Sequence, residues 1–194
     1  MTDTLSVAAL AGGLSWASGI RLYMALFIAG WFSRMGWIDL PAMLRVLESP
    51  WVMSVTGLLM MLEFLADKVP GLDSAWDAFQ TFIRIPAGAI LGAAALGTMD
   101  PAWTTIAALL GGTIAAGAHF TKAGSRALIN TSPEPFSNWT ASFLEDVVVA
   151  AGLWAAFFHP WALFAFLAIF FALAFWLLPK LLRGLRWIFR KLST

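Results

Sequence analysis

Along this chain long apolar stretches alternate with short polar breaks, and the stretches have the length of membrane spans. A helix crossing the hydrocarbon of a bilayer needs about 20 mostly apolar residues. Six stretches meet or approach that length: Leu5–Phe32, Trp51–Ala66, Ser74–Gly97, Ala102–Phe120, Ser142–Phe158 and Trp161–Leu178. The first carries Gly12, Gly13, Gly19 and Arg21. It reads either as one tilted helix or as a broken, re-entrant pair of half-helices, since a glycine inside a helix costs up to about 1 kcal/mol. The third opens on Asp77, Gln80 and Arg84 and contains Pro86. That predicts a kink and an apolar half crossing only part of the bilayer.

Composition turns this pattern into a class. Of 194 residues, 60% are hydrophobic and 12% charged, against about 25% charged in soluble domains. The mean hydropathy of +0.80 agrees. Six spans would use about 120 residues and leave only short loops. The expectation is an all-α polytopic membrane protein, one domain over 1–194, with a basic cytoplasmic tail at 180–194. Asp3 stands where a cleavable signal peptide wants a basic residue, and the apolar run continues to Phe32, so no leader is expected to be removed.

The inventory also removes chemistry. With no cysteine, disulfides, thiolate nucleophiles, iron–sulfur ligation and cysteine-based zinc sites are excluded. His119 and His159 are far apart in the sequence. A net charge of +1 gives no whole-chain attraction to nucleic acid. Neither glycine-rich nucleotide-binding motif is present.

Lys180, Arg183, Arg186, Arg190 and Lys191 follow the last span. The positive-inside rule places them in the cytoplasm, and six spans then place the N-terminus there too. Lys68, Lys122 and Arg126 fall on the same side. Thr98–Pro101 and His159–Pro160 fall outside without Lys or Arg, while Arg34 and Arg45 break the pattern. Trp31, Trp37, Trp51, Trp103 and Trp161 sit near the outer interface, and Trp76, Trp139 and Trp187 near the inner one. Gly88-x-x-x-Gly92 and Ala108-x-x-x-Gly112-x-x-x-Ala116 permit close helix contact, so spans three and four are expected at the centre. The sixth span is bulky all round and is expected to face lipid.

A weak helical-hairpin repeat is legible. Pro70-Gly-Leu-Asp-Ser74-Ala-Trp76 is similar to Pro133-Glu-Pro-Phe-Ser137-Asn-Trp139. The offset relates a hairpin at 50–97 to one at 102–160 and sets Glu63 on Arg126. A three-plus-three inverted repeat is the alternative.

Ionisable groups inside spans are costly and usually face a bundle interior or a wet cavity. Glu63 and Asp67 are four apart and share a helix face with Thr56. His119, Lys122 and Arg126 form a basic stripe at the same depth, and Glu145 with Asp146 opens span five. Glu63–Arg126 and Asp67–Lys122 read either as ion pairs tying helices together or as parts of a site. Ser142 with Glu145, and Ser74 with Asp77, fit capping boxes. Arg21 lies too deep to be a routine terminal anchor.

These residues carry a resemblance. Glu63-Phe-Leu-Ala-Asp67-Lys68-Val-Pro70-Gly71-Leu-Asp73-Ser-Ala-Trp76-Asp77 resembles the first signature of a bacterial membrane family catalogued as domain of unknown function 4126. Lys122 to Arg126, Asn130, Ser132-Pro-Glu134-Pro135-Phe-Ser-Asn138 and Glu145-Asp146 resemble the second. The resemblance implies a small multi-span protein of the bacterial inner membrane and brings no activity with it.

Function therefore rests on the residues. The first reading is a carrier or permease. Arg21, Lys122, Arg126, Asn130 and Asn138 would meet an anionic solute or lipid head group, and Glu63, Asp67, Glu145 and Asp146 would couple a proton or cation. The second is a membrane-embedded lipid enzyme whose four carboxylates hold a divalent cation. No other cofactor is implied, and no nucleophile stands beside a base. The third is a non-catalytic scaffold subunit. The partners are the bilayer and such a solute; self-association stays open.

Overall fold

The computed structural model describes residues 3–69, 71–97, 100–131 and 136–192, without the side chains of 178, 181, 182 and 184–192. Pro70, Thr98, the motif residues Ser132 to Pro135, the terminal Ser193, and the tail side chains of Arg186, Trp187, Arg190 and Lys191 lie outside that description. Among the described residues six α-helices make up the fold: α1 (Thr4–Arg34), α2 (Pro50–Ala66), α3 (Leu72–Leu96), α4 (Pro101–Ile129), α5 (Phe136–Phe158) and α6 (Pro160–Leu192). A 3-10 segment, Ala42–Glu48, links α1 to α2. Five helices are long and apolar enough to cross a membrane, and six if the 3-10 segment and α2, bent by 70°, count as one span. The protein is an all-α, multi-pass membrane protein.

The first apolar stretch adopts the broken form. Arg21 leaves helical geometry, at φ −140° and ψ 72°. Contacts on either side show how sharply the chain turns. A Cβ on Gly13 would lie 2.4 Å from Ala156, while the Phe32 ring lies 5.8 Å from that of Phe157. Positions 13 and 32 of a straight helix would be about 28 Å apart, yet both meet the same turn of α5. The two halves of α1 fold back with Arg21 at the apex.

Thr4 therefore lies near Leu96 and Trp103, with which it lines one cavity. Arg34 lies at that same end, bonded to the Glu48 carbonyl. This is the head end of the bundle. The tail end holds the α2–α3 and α4–α5 connections, and α6 runs toward it. With α1 folded back, Thr4 and Arg34 lie at the same end of the bundle.

In the head half the helices approach through small residues. A Cβ on Gly88 would lie 2.3 Å from Ala115 Cβ, and one on Gly111 would lie 2.5 Å from the Gly88 carbonyl oxygen. The α4 contact stripe is thus Ala107, Gly111 and Ala115, one position from the expected Ala108, Gly112 and Ala116. Gly112 has room, its nearest neighbour lying at 3.4 Å. Ser15 of α1 donates to the Gly88 carbonyl at 2.9 Å. Pro86 does not end α3, which runs through it. Nor does α6 face lipid all round. Leu163 and Leu167 are buried, and Phe166 and Phe170 meet the buried Trp16 edge-on at 4.8 and 5.5 Å. Trp161, Phe175 and Trp176 stay exposed.

Candidate functional site

The polar residues of five helices converge in the tail half of the bundle. The folding of α1 places Arg21 there. One Arg21 Nη bonds the Asp67 carboxylate. The other donates to the Ser142 hydroxyl at 2.8 Å and carbonyl at 3.1 Å and lies 3.4 Å from Glu145. Nε lies 2.8 Å from Asp146. At the break in α1 the Arg21 guanidinium thus joins the end of α2 to the first turns of α5.

Arg84, on α3, holds the neighbouring group. It bonds Glu63 and meets Asp77 Oδ1 at 2.8 Å. Its Nη1 also lies 3.4 Å from His119 Nδ1, whose Nε2 is 2.7 Å from the Thr81 hydroxyl. Lys122 Nζ joins the two groups, at 3.3 Å from Asp67, 3.3 Å from Asp77 and 3.5 Å from Glu145. It also donates to the Ile20 carbonyl at 3.3 Å, a carbonyl beside the break in α1. Arg126 takes Glu145 in a two-pronged pair, at 2.8 and 3.1 Å, the planar fork-on-carboxylate geometry that only arginine supplies.

A hydrogen-bonded polar layer covers this network toward the tail end. Arg126 donates to the carbonyl and side-chain oxygens of Asn138 at 3.0 and 3.2 Å. Asn138 donates to Asn130 at 2.6 Å, and Asn130 donates to Asp73 at 2.7 and 2.9 Å. Asp73 also accepts from the backbone N–H groups of Gly71 and Ser74.

All nine residues singled out from the sequence meet here, with partners that differ in part. Asp67 takes Lys122 as the spacing suggested, but Glu63 takes Arg84 rather than Arg126. Two capping boxes fail. α5 starts at Phe136 and α3 at Leu72, so Glu145 and Asp77 sit inside helices and serve the network. The spacing of ionisable groups in the sequence does not single out Arg84, Asp77, Asp73, Gln80 or Thr81 as members of the site. A signal for most of them exists: positions 73, 77, 80 and 84 fall on one helical face. Among the described residues no group of three or more His, Asp or Glu side chains could hold a metal ion. The four carboxylates proposed for a divalent cation each face a guanidinium or ammonium instead.

Formal charge does not cancel. Among the described residues the ion pairs join five carboxylates (Glu63, Asp67, Asp77, Glu145, Asp146) to four cations (Arg21, Arg84, Lys122, Arg126). One oxygen each of Glu63, Asp67 and Asp77 is buried without a hydrogen-bond partner. Glu145 and Asp146 are the accessible members, at 17% and 24% exposure. Beside Glu145 a cavity of about 270 Å³ lies between α4 and α5, lined by Ile20, Lys122, Ser125, Leu144 and Phe170 among others.

The family match comes on this frame. The chain matches the family described as Domain of unknown function (DUF4126) over residues 8–180 and belongs to it. No curated protein and no solved structure matches.

Proposed function

We propose that this member of the family is a small proton-coupled membrane carrier. In this reading its carboxylates and an anionic solute compete for the same guanidinium and ammonium groups. The observation that carries it is the charge count. A buried network with one carboxylate in excess, and three orphaned carboxylate oxygens, favours taking up a proton, because an uncompensated charge in a low-dielectric interior is costly. An anion settling on Lys122, Arg21 or Arg126 makes the excess larger and draws in a further proton. Asp146, the most exposed carboxylate of the network, is the first acceptor in this reading. The protonated carboxyl then releases its cation to the solute. The break in α1 resembles in kind the discontinuous helices that line carrier sites.

The scaffold reading draws on one observation, that each of the four cations has a carboxylate within ion-pair reach. A single experiment separates the two. Protein is reconstituted in vesicles loaded with a pH-reporting dye, and small carboxylates and phosphate esters are added outside. A carrier acidifies the lumen with at least one of them, and Asp67→Asn abolishes the response. A scaffold leaves the lumen unchanged with all of them, and that result would remove the carrier reading.

For orientation, the tail end is assigned to the cytoplasm, since Lys68 and the basic tail belong to it. Thr4 and the head-end tryptophans then lie on the opposite face, which puts the N-terminus outside. Because the chain lacks cysteine, Ser6→Cys and Thr131→Cys each introduce a single thiol. An impermeant thiol reagent applied to whole cells should label Ser6→Cys and spare Thr131→Cys. Labelling of neither from outside would restore the shared cytoplasmic face.

A further inference from the structure

The ion pairs of the network are unequal. Arg21, Arg84 and Arg126 each hold a carboxylate at 2.8 Å or closer. Lys122 has no oxygen nearer than 3.3 Å, although charge-assisted N–H···O bonds settle at about 2.7–2.9 Å. Four acceptors surround one ammonium and none is drawn in. An ammonium is a compact charge with three donors on a flexible stem, able to turn toward a new partner without the planar fit a guanidinium needs.

Lys122 is also the network cation that borders the cavity between α4 and α5. The lining of this cavity is mostly apolar, with Leu144, Val148 and Phe170, and Lys122, Thr121, Ser125 and Glu145 also border it. About 270 Å³ is several times the roughly 30 Å³ that one water occupies, so the space holds more than an ion. The larger cavity at the head end, about 590 Å³, has no charged residue in its lining and could not select a head group.

We propose that the α4–α5 cavity binds an amphipathic anion, its phosphate or carboxylate head on Lys122 and its alkyl chain against Leu144, Val148 and Phe170. This deepens the carrier reading by naming the substrate class. The arriving head group displaces Glu145 from Lys122, and Glu145 keeps its two-pronged hold on Arg126.

The test uses Leu144→Cys as the only thiol of the chain and follows maleimide labelling in detergent. The probes are an alkyl phosphate, an alkyl carboxylate, the alkanol of equal chain length, and inorganic phosphate. The two amphipathic anions should slow labelling several-fold, and the alkanol and inorganic phosphate should not. Ala141→Phe, which fills the cavity without touching an ion pair, should abolish that protection, and Lys122→Gln should do the same. Should Lys122→Gln fail to fold, Ala141→Phe decides. Equal protection by the alkanol would reduce the cavity to an apolar void. Equal protection by inorganic phosphate would make it a site for free anions, and no protection would leave no site. Each of those three results overturns the proposal. Protection without proton movement in vesicles would keep this site and remove the carrier reading, whereas proton movement without protection would do the reverse.

Discussion

The two halves of the bundle use the same helices and hold them together by opposite means. In α3, Asp73, Asp77, Gln80 and Arg84 face the interior of the tail half, and two turns on the same face becomes Gly88, Leu91, Gly92 and Ala95. The head half has almost no charge inside. Its helices touch backbone to backbone, as around Gly88 and Gly111, which is how association proceeds where lipid tails are as apolar as leucine. The tail half keeps its helices far enough apart for arginine and lysine to lie between them. The contrast teaches that one bundle can join its helices by two means, backbone contact through small residues in the head half and paired charges in the tail half. Buried ion pairs are weak evidence of added stability but costly to break.

The largest effect should come from breaking the charged half. Arg84→Gln leaves Glu63 without its cation and Asp77 with Lys122 alone, and should destabilise by about 3–5 kcal/mol, read by denaturant unfolding in micelles. Adding Glu63→Gln should recover part of the loss. Equal stability of Arg84→Gln and the parent would show that the network contributes nothing to holding α2 and α3.

A smaller effect sharpens the contrast in the packed half, through two adjacent glycines. A Cβ at Gly111 would come within 2.5 Å of backbone and 2.7 Å of the Ser15 hydroxyl oxygen, so Gly111→Ala should cost about 1–3 kcal/mol through forced separation of α3 and α4. At Gly112 the nearest atom is 3.4 Å away, so Gly112→Ala should be neutral or stabilise by up to about 1 kcal/mol from helix propensity. The same unfolding measurement compares them. Equal outcomes at both positions would place the contact stripe elsewhere.

The sequence by itself determined the class and the raw material. Hydropathy and charge content demand membrane helices, because apolar runs of that length have no other way to satisfy their backbone. The depth of Arg21, Glu63, Asp67, Lys122 and Arg126 within those runs marked them as groups needing partners in the interior. Gly12, Gly13 and Gly19 announced a weak first helix, with its break as one of two options. Tertiary structure decided which option holds and who meets whom. Whether α1 bends at Arg21 depends on partners from α2, α4 and α5 that compensate the broken backbone, and local propensity carries no record of them. The same is true of Glu63, which lies as near its helix end as Arg126 does and yet pairs with Arg84, deeper along α3. The register of α4, set by Gly111 rather than Gly112, is likewise a matter of fit. Both residues are small, and only the position of Gly88 across the interface tells them apart.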